Sequence, residues 1–293
     1  MWKQITKKLT NNFNYLRFKK NNLRYLFLSG LTALFLVTTT PTLTYGFAWE
    51  DLLFQGVQLI QLSNISNEQE IKLGRQMNRQ LVRSGQIKVY DNPPVERYVK
   101  RIGRRLAQTS TRPDIPYTFQ IVADNSINAF ATMGGFVYIH TGLIKAADNE
   151  AELASVIGHE IGHIAAGHAL KQMREQAVTR GLLSAAGLDE NSLVQLGVQV
   201  ALELPNSRED ELQADQLGLA NLTKAGYAPI GMVDFMRKLQ QQSSGGSVPS
   251  FLSTHPAPGD RLVILEKQIR PQKANQGNGL DNQFYDKKIR SIL

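Results

Sequence analysis

The sequence predicts an α+β fold, mostly helical, with one small β-sheet. Three observations carry that prediction. Apolar residues recur at helical spacing through most of the chain after residue 66, only two short stretches alternate as strands do, and glycine or proline marks the joints. With 293 residues, 42% of them hydrophobic, the chain can bury a substantial core. None of its residues is cysteine, which removes a disulfide framework, a thiolate metal site, a cysteine nucleophile and a cysteine-borne lipid.

The formal net charge of +8 is local. Residues 1–49 hold seven basic side chains (Lys3, Lys7, Lys8, Arg17, Lys19, Lys20 and Arg24) and no acidic one. The other 244 residues carry 26 basic against 25 acidic side chains, a net of +1, with no phosphate loop. No nucleic-acid partner is expected on that balance. The basic stretch leads into the apolar run 25–37 (YLFLSGLTALFLV), which has signal-peptide length and falls short of a full membrane span. Gly46 and Ala48 take the −3 and −1 places of a cleavage before Trp49. Residues 1–48 therefore read as a signal peptide or an N-terminal membrane anchor. Either implies an exported, periplasmic or otherwise extracytoplasmic protein, and the second implies membrane association through residues 25–37.

The elements follow in order. Residues 69–85 form an amphipathic helix through Leu73, Met77 and Leu81, and 95–108 a second through Val95, Val99, Ile102 and Leu106. Arg97, Lys100, Arg101, Arg104 and Arg105 lie mostly off that stripe and read as a solvated face. Pro113 and Pro116 break the chain, residues 117–122 alternate as a strand, and 136–140 make another after the turn at Gly134 and Gly135. A long helix starts at Asn149, with Glu152 at capping-box spacing, and is expected to run to about Arg174. Two short apolar stretches flank Gly187, helices follow over 207–224 and 229–241, and 243–250 is a linker. A last short helix covers 258–269. The domain is thus expected over 49–270, with 271–293 a loosely ordered tail.

Chemistry concentrates in the long helix. His159 and His163, two of only five histidines, are spaced i, i+4, so both rings lie on one face and can grip a single metal ion. Glu160 projects beside them, where a carboxylate can take a proton from a water that zinc has acidified. Few charges follow Glu160, so this helix is buried, and metal coordination would offset the cost of burying its histidines. His168, about 180° round a continuous helix, cannot share their metal and reads as structural. Downstream, Glu211 and Asp215 are also i, i+4, so one can ligate while the other holds a ligand histidine. Glu209 and Asp210 point off that stripe and read as solvated charges.

The string ELASVIGHEIGHIAAGH (152–168), with SREDELQADQLG (207–218), resembles the gluzincin family of HtpX-like, CAAX-prenyl-protease-like and BepA-like metallopeptidases. Further matches are Asn128 to Ala131 with Gly134 and Gly135, Gly142 with Leu143, Ala225 to Tyr227, and Thr254 to Pro256 with Arg261. The resemblance implies a zincin-like domain, one Zn2+ per chain held by His159, His163 and Glu211, and Glu160 as general base. It makes Asp215 the partner of a ligand histidine, most naturally His159. His255 becomes either a fourth ligand in a closed form or an oxyanion stabiliser in an open one. Arg261 either aids substrate or transition-state binding or forms a structural ion pair. Asn128 starts the strand-and-turn edge along which substrate would lie extended, or is simply a turn residue.

Two departures stand out. Only residues 25–37 approach a membrane span, and no room remains for the helical-repeat domain of BepA-like members. The expectation is a compact, exported zinc metalloendopeptidase acting on unfolded or misassembled polypeptides in envelope or membrane protein quality control. Its rival is a holdase or assembly factor with a latent zinc site closed by His255, for which apolar residues 182–202 would supply a client surface.

Overall fold

The computed structural model describes residues 65–179, 190–246, 248–256 and 258–292. The basic and apolar N-terminal segment, the junction at Trp49 and residues 182–189 of the apolar stretch lie outside these. Helix α1 (Asn67–Arg83) is closed at its start by a reciprocal capping box between Ser66 and Gln69, and α2 (Pro93–Ala107) by Asn92, with prolines in its first turn. Strands β1 (Thr118–Val122), β2 (Ala129–Thr132) and β3 (Phe136–His140) form one sheet in the order β1-β3-β2. β3 runs parallel to β1 and antiparallel to β2, with Phe130 opposite Tyr138. β2 is the strand that alternation missed, and it reverses into β3 through the turn Met133–Gly135.

The sheet divides the core because successive side chains alternate faces. Val137 and Ile139 join a large cluster with α2, α4 (Glu150–Ala166), α7 (Arg208–Lys224), α8 (Ile230–Ser244) and α10 (Pro258–Gln268). Phe136 and Tyr138 join a second with α1, α5 (His168–Thr179) and α6 (Glu190–Glu203). Short α3 (Thr141–Ala146) links β3 to α4, and α9 (Phe251–Thr254) precedes α10. Val194, Leu196, Val198 and Val200 of α6 are buried in the second cluster, so these apolar residues of 182–202 pack in the core.

Helices α4 and α7 cross at close range because each places a glycine against the other's backbone. A Cβ on Gly162 would stand 2.7 Å from the Ala214 carbonyl oxygen, and one on Gly218 would stand 2.9 Å from the His159 nitrogen. That approach brings the acids of α7 to the histidines of α4.

The segment after Pro271 differs from the expected loose tail. It forms α11 (Asn282–Ile289), capped by Asp281, and buries Tyr285, Ile289 and Ile292. The Tyr285 hydroxyl donates to the Ile144 carbonyl at 2.6 Å, and the Ala151 N–H donates to the Gly279 carbonyl at 2.9 Å. Three anchors at helical spacing suffice to hold a segment that is polar on average. Among the described residues no helix is long and apolar enough to cross a membrane.

Candidate metal centre

Asn149 caps α4 by accepting from the Glu152 N–H at 3.0 Å, and the helix is buried from Ala151 through Ile164. His159 and His163 sit one turn apart on the face that meets α7. The helix does not continue to Arg174. Gly167 adopts the left-handed conformation (φ 72°) and ends it, and α5 starts at His168 in a new direction. His168 therefore turns back toward the site, and its Nδ1 lies 2.8 Å from His163 Nδ1. His168 stands outside the converging donors, as expected, but beside His163 and not on the far side of one unbroken helix. The glycine just before it was the available signal of a cap.

Four donors converge. His159 Nε2 lies 3.0 Å from His163 Nε2, 3.3 Å from His255 Nδ1 and 3.5 Å from Glu211 Oε2. Glu211 Oε1 lies 3.2 Å from His163 Nε2 and 3.0 Å from His255 Nδ1. All four residues are buried, and one ligand atom from each falls within 4.8 Å of the others. Ring nitrogens and a carboxylate this close repel one another unless a proton or cation sits among them. Donors at about 2.0 Å round a tetrahedral ion stand about 3.3 Å apart, so the set fits zinc in both spacing and chemistry.

A profile of peptidase family M48 matches residues 93–269, from α2 through the sheet and every donor to α10. The chain belongs to peptidase family M48. It is 34% identical over 226 residues to the beta-barrel assembly-enhancing protease of Yersinia pestis, covering 72% of this chain and 46% of that one. It is 31% identical over 180 residues to a mitochondrial metalloendopeptidase of Arabidopsis thaliana (60% and 36%), and 28% identical over 185 residues to metalloprotease YcaL of Escherichia coli K12 (59% and 72%). The chain spans about half the length of the beta-barrel assembly-enhancing proteases it matches. The expected gluzincin-type metalloprotease is thereby met at the level of the family.

The residues round this M48 centre hold its donors in place. Asp215 Oδ1 lies 2.9 Å from His159 Nδ1. Behind it, Arg261 donates to both Asp215 oxygens, each at 2.7 Å, and pairs with Glu211. Arg261 is fully buried, with both acids as its partners. Asp210 also departs from expectation. It is buried, its N–H is capped by Ser207, and its Oδ1 takes Lys171 at 2.7 Å and faces His168 at 3.5 Å. Glu209 is exposed, as read from the sequence. His168 Nε2 further meets Gln213 Oε1 at 3.0 Å, so α5 and α7 together orient the ring behind His163.

Charge in the cluster follows from these contacts. Burial disfavours protonation of His159, but hydrogen bonds to Asp215 and Glu211 outweigh it and hold the ring up at about 9. His163 is pushed down to about 3, chiefly by burial, which keeps the ring neutral. Burial would raise Glu211, yet the charge of His255 and hydrogen bonds from all three histidines keep it well below the usual carboxylate range. Glu160, also buried, is raised by that burial. Its Oε1 has no hydrogen-bond partner among the described residues and lies 3.5 Å from His255 Nε2.

Glu160, His163 and His255 line a cleft walled by Phe130 to Met133 of the β2 edge and by Val200 and Leu204. Asn128 directly precedes that edge, and its carbonyl accepts from the His140 N–H at 3.0 Å. His255 is set by two residues that sequence reasoning did not single out. Phe251 stacks on it with centroids 4.2 Å apart, and Asn206 bonds its loop at the Thr254 carbonyl.

Proposed function

We propose that this chain is a zinc-dependent metalloendopeptidase that cleaves unfolded or misassembled polypeptides outside the cytoplasm. The observation that carries the reading is the convergence of His159, His163, Glu211 and His255 beside a buried Glu160, whose Oε1 has no hydrogen-bond partner among the described residues, at the wall of a cleft. His159, His163 and Glu211 would hold the ion. When bound, zinc lowers the pKa of a water toward about 7 and polarises a peptide carbonyl. Glu160 accepts the proton of the attacking water and returns it to the leaving amine. Its burial, by raising its proton affinity, suits both halves of that transfer. Asp215 keeps His159 in the tautomer that offers Nε2 to the ion, and His168 does the same for His163. The peptide would lie extended along β2, starting beside Asn128.

Relatives named for beta-barrel assembly support a place in envelope protein quality control. The basic and apolar segment of residues 1–48 supports export, as a cleaved signal or a retained anchor. The deciding assay measures bound zinc per chain and cleavage of casein before and after chelation. One zinc per chain, with cleavage lost on chelation and regained on zinc addition, supports the reading. A chain without zinc would overturn it.

One observation favours a second reading, in which the site is latent. His255 Nδ1 stands among the donors at the same spacing as the ligands, where it would take the fourth position. His255→Ala is then expected to raise casein cleavage several-fold, whereas an oxyanion-stabilising His255 would make the same variant slower. His168→Ala is expected to weaken zinc binding 10- to 100-fold, read by competition with a chromogenic chelator, because it removes the hydrogen bond that fixes His163.

A further inference from the structure

Helix α2 carries Arg97, Lys100, Arg101, Arg104 and Arg105 on the side opposite its buried stripe. Only Lys100 has a carboxylate partner among the described residues, Glu96. Arg101 lies over the Tyr98 ring at 5.2 Å and Arg105 over Tyr227 at 4.4 Å, so both guanidinium groups are held on aromatic faces and not by acids. For a chain whose residues 50–293 balance to a net +1, this is a strong local concentration of charge.

The C-terminal segment packs beside this helix. Asn278 bonds Gly226, beside Arg105, at one end, and Ser291 Oγ meets Asn92 Nδ2 at 2.9 Å at the other. In between, Tyr285 packs on Tyr98 with centroids 6.2 Å apart. The outer side of this segment shows Leu280 and Phe284, 37% and 44% exposed, with Lys288 over the Phe284 ring and Lys287 beside it. The acids nearby are Glu96, paired with Lys100, Asp281, which caps α11, Asp286, and Glu150, which accepts from the hydroxyls of the two rings that carry Arg101 and Arg105.

We infer that this face docks on an anionic phospholipid surface. The cations would take headgroup phosphates while Leu280 and Phe284 enter the acyl boundary. Nucleic acid would satisfy the arginines, but it offers no apolar phase for two exposed side chains four residues apart. None of these residues lines the cleft, so the inference stands apart from the peptidase reading.

Absence of cysteine makes a site-specific test direct. The full chain bearing Leu280→Cys, or separately Phe284→Cys, is labelled with an environment-sensitive fluorophore. It is mixed with phosphatidylcholine vesicles with and without phosphatidylglycerol. A blue shift on the anionic vesicles alone is expected, and none from a label at Val263→Cys, an exposed position on α10. Combined R97E, R101E and R104E should weaken the response by more than about 100-fold, at about fivefold for each cation lost. These arginines are exposed, so thermal unfolding should not change. No shift at either position, an equal shift after charge reversal, or the same shift on duplex DNA would each overturn the inference.

Discussion

Glu160→Gln is expected to lose 10²- to 10⁴-fold of casein cleavage while retaining zinc and thermal stability. The substitution keeps shape and volume and removes only the capacity to accept and return a proton. Glu160 Oε1 has no hydrogen-bond partner among the described residues, so little of the fold depends on its charge. It is not one of the four converging donors, so metal content should hold. Unaltered proteolysis by this variant would remove Glu160 from the reaction. Zinc in both proteins with cleavage in neither would point to the latent arrangement, and His255→Ala would then separate the two.

Arg261→Met is expected to cost about 3–5 kcal/mol, the usual result of removing one member of a buried ion pair. The guanidinium is fully buried between Asp215 and Glu211, and without it the two carboxylates keep only histidine partners. Burial raises both acids, but Arg261 brings Asp215 below its ordinary value and the histidines do so for Glu211. The stabilisation these depressed acids contribute is therefore complete above their unfolded values of about 4 and is lost as pH falls through the folded ones. Denaturant unfolding with and without zinc measures the effect. The zinc-free protein should lose more, because the ion supplies the charge that Arg261 no longer does. An Arg261 whose business was substrate would show slower cleavage with unchanged stability.

Much of the fold was legible because its signals are local. Ser66, Asn92, Asn149 and Ser207 cap the helices they precede, and the apolar stripes of α1 and α2 are the buried ones. Strand β2 was missed as a strand by alternation because all but one of its four residues are buried, so neither face shows a polar partner. The i, i+4 pairs His159 with His163 and Glu211 with Asp215 were legible for the same reason: periodicity alone sets which side chains share a helix face.

Periodicity does not carry across a change of chain direction, and there the tertiary structure decided. A single left-handed glycine at 167 turned His168 from the far side of a helix to a hydrogen bond with His163. Lys171 and His168 made Asp210 a buried group, where its own helix suggested a solvated one. Arg261, which sequence left between substrate and salt bridge, became the cation behind two acids 46 and 50 residues away in the chain. Tyr285 and Ile289 on α11, with Ile292 just beyond it, drew in a segment whose average polarity predicted freedom. The sequence by itself determined which elements form and which faces carry the chemistry, because those depend on neighbours within a turn or two. Which partner each buried polar group meets depends on how distant elements pack, and only the folded chain contains that information.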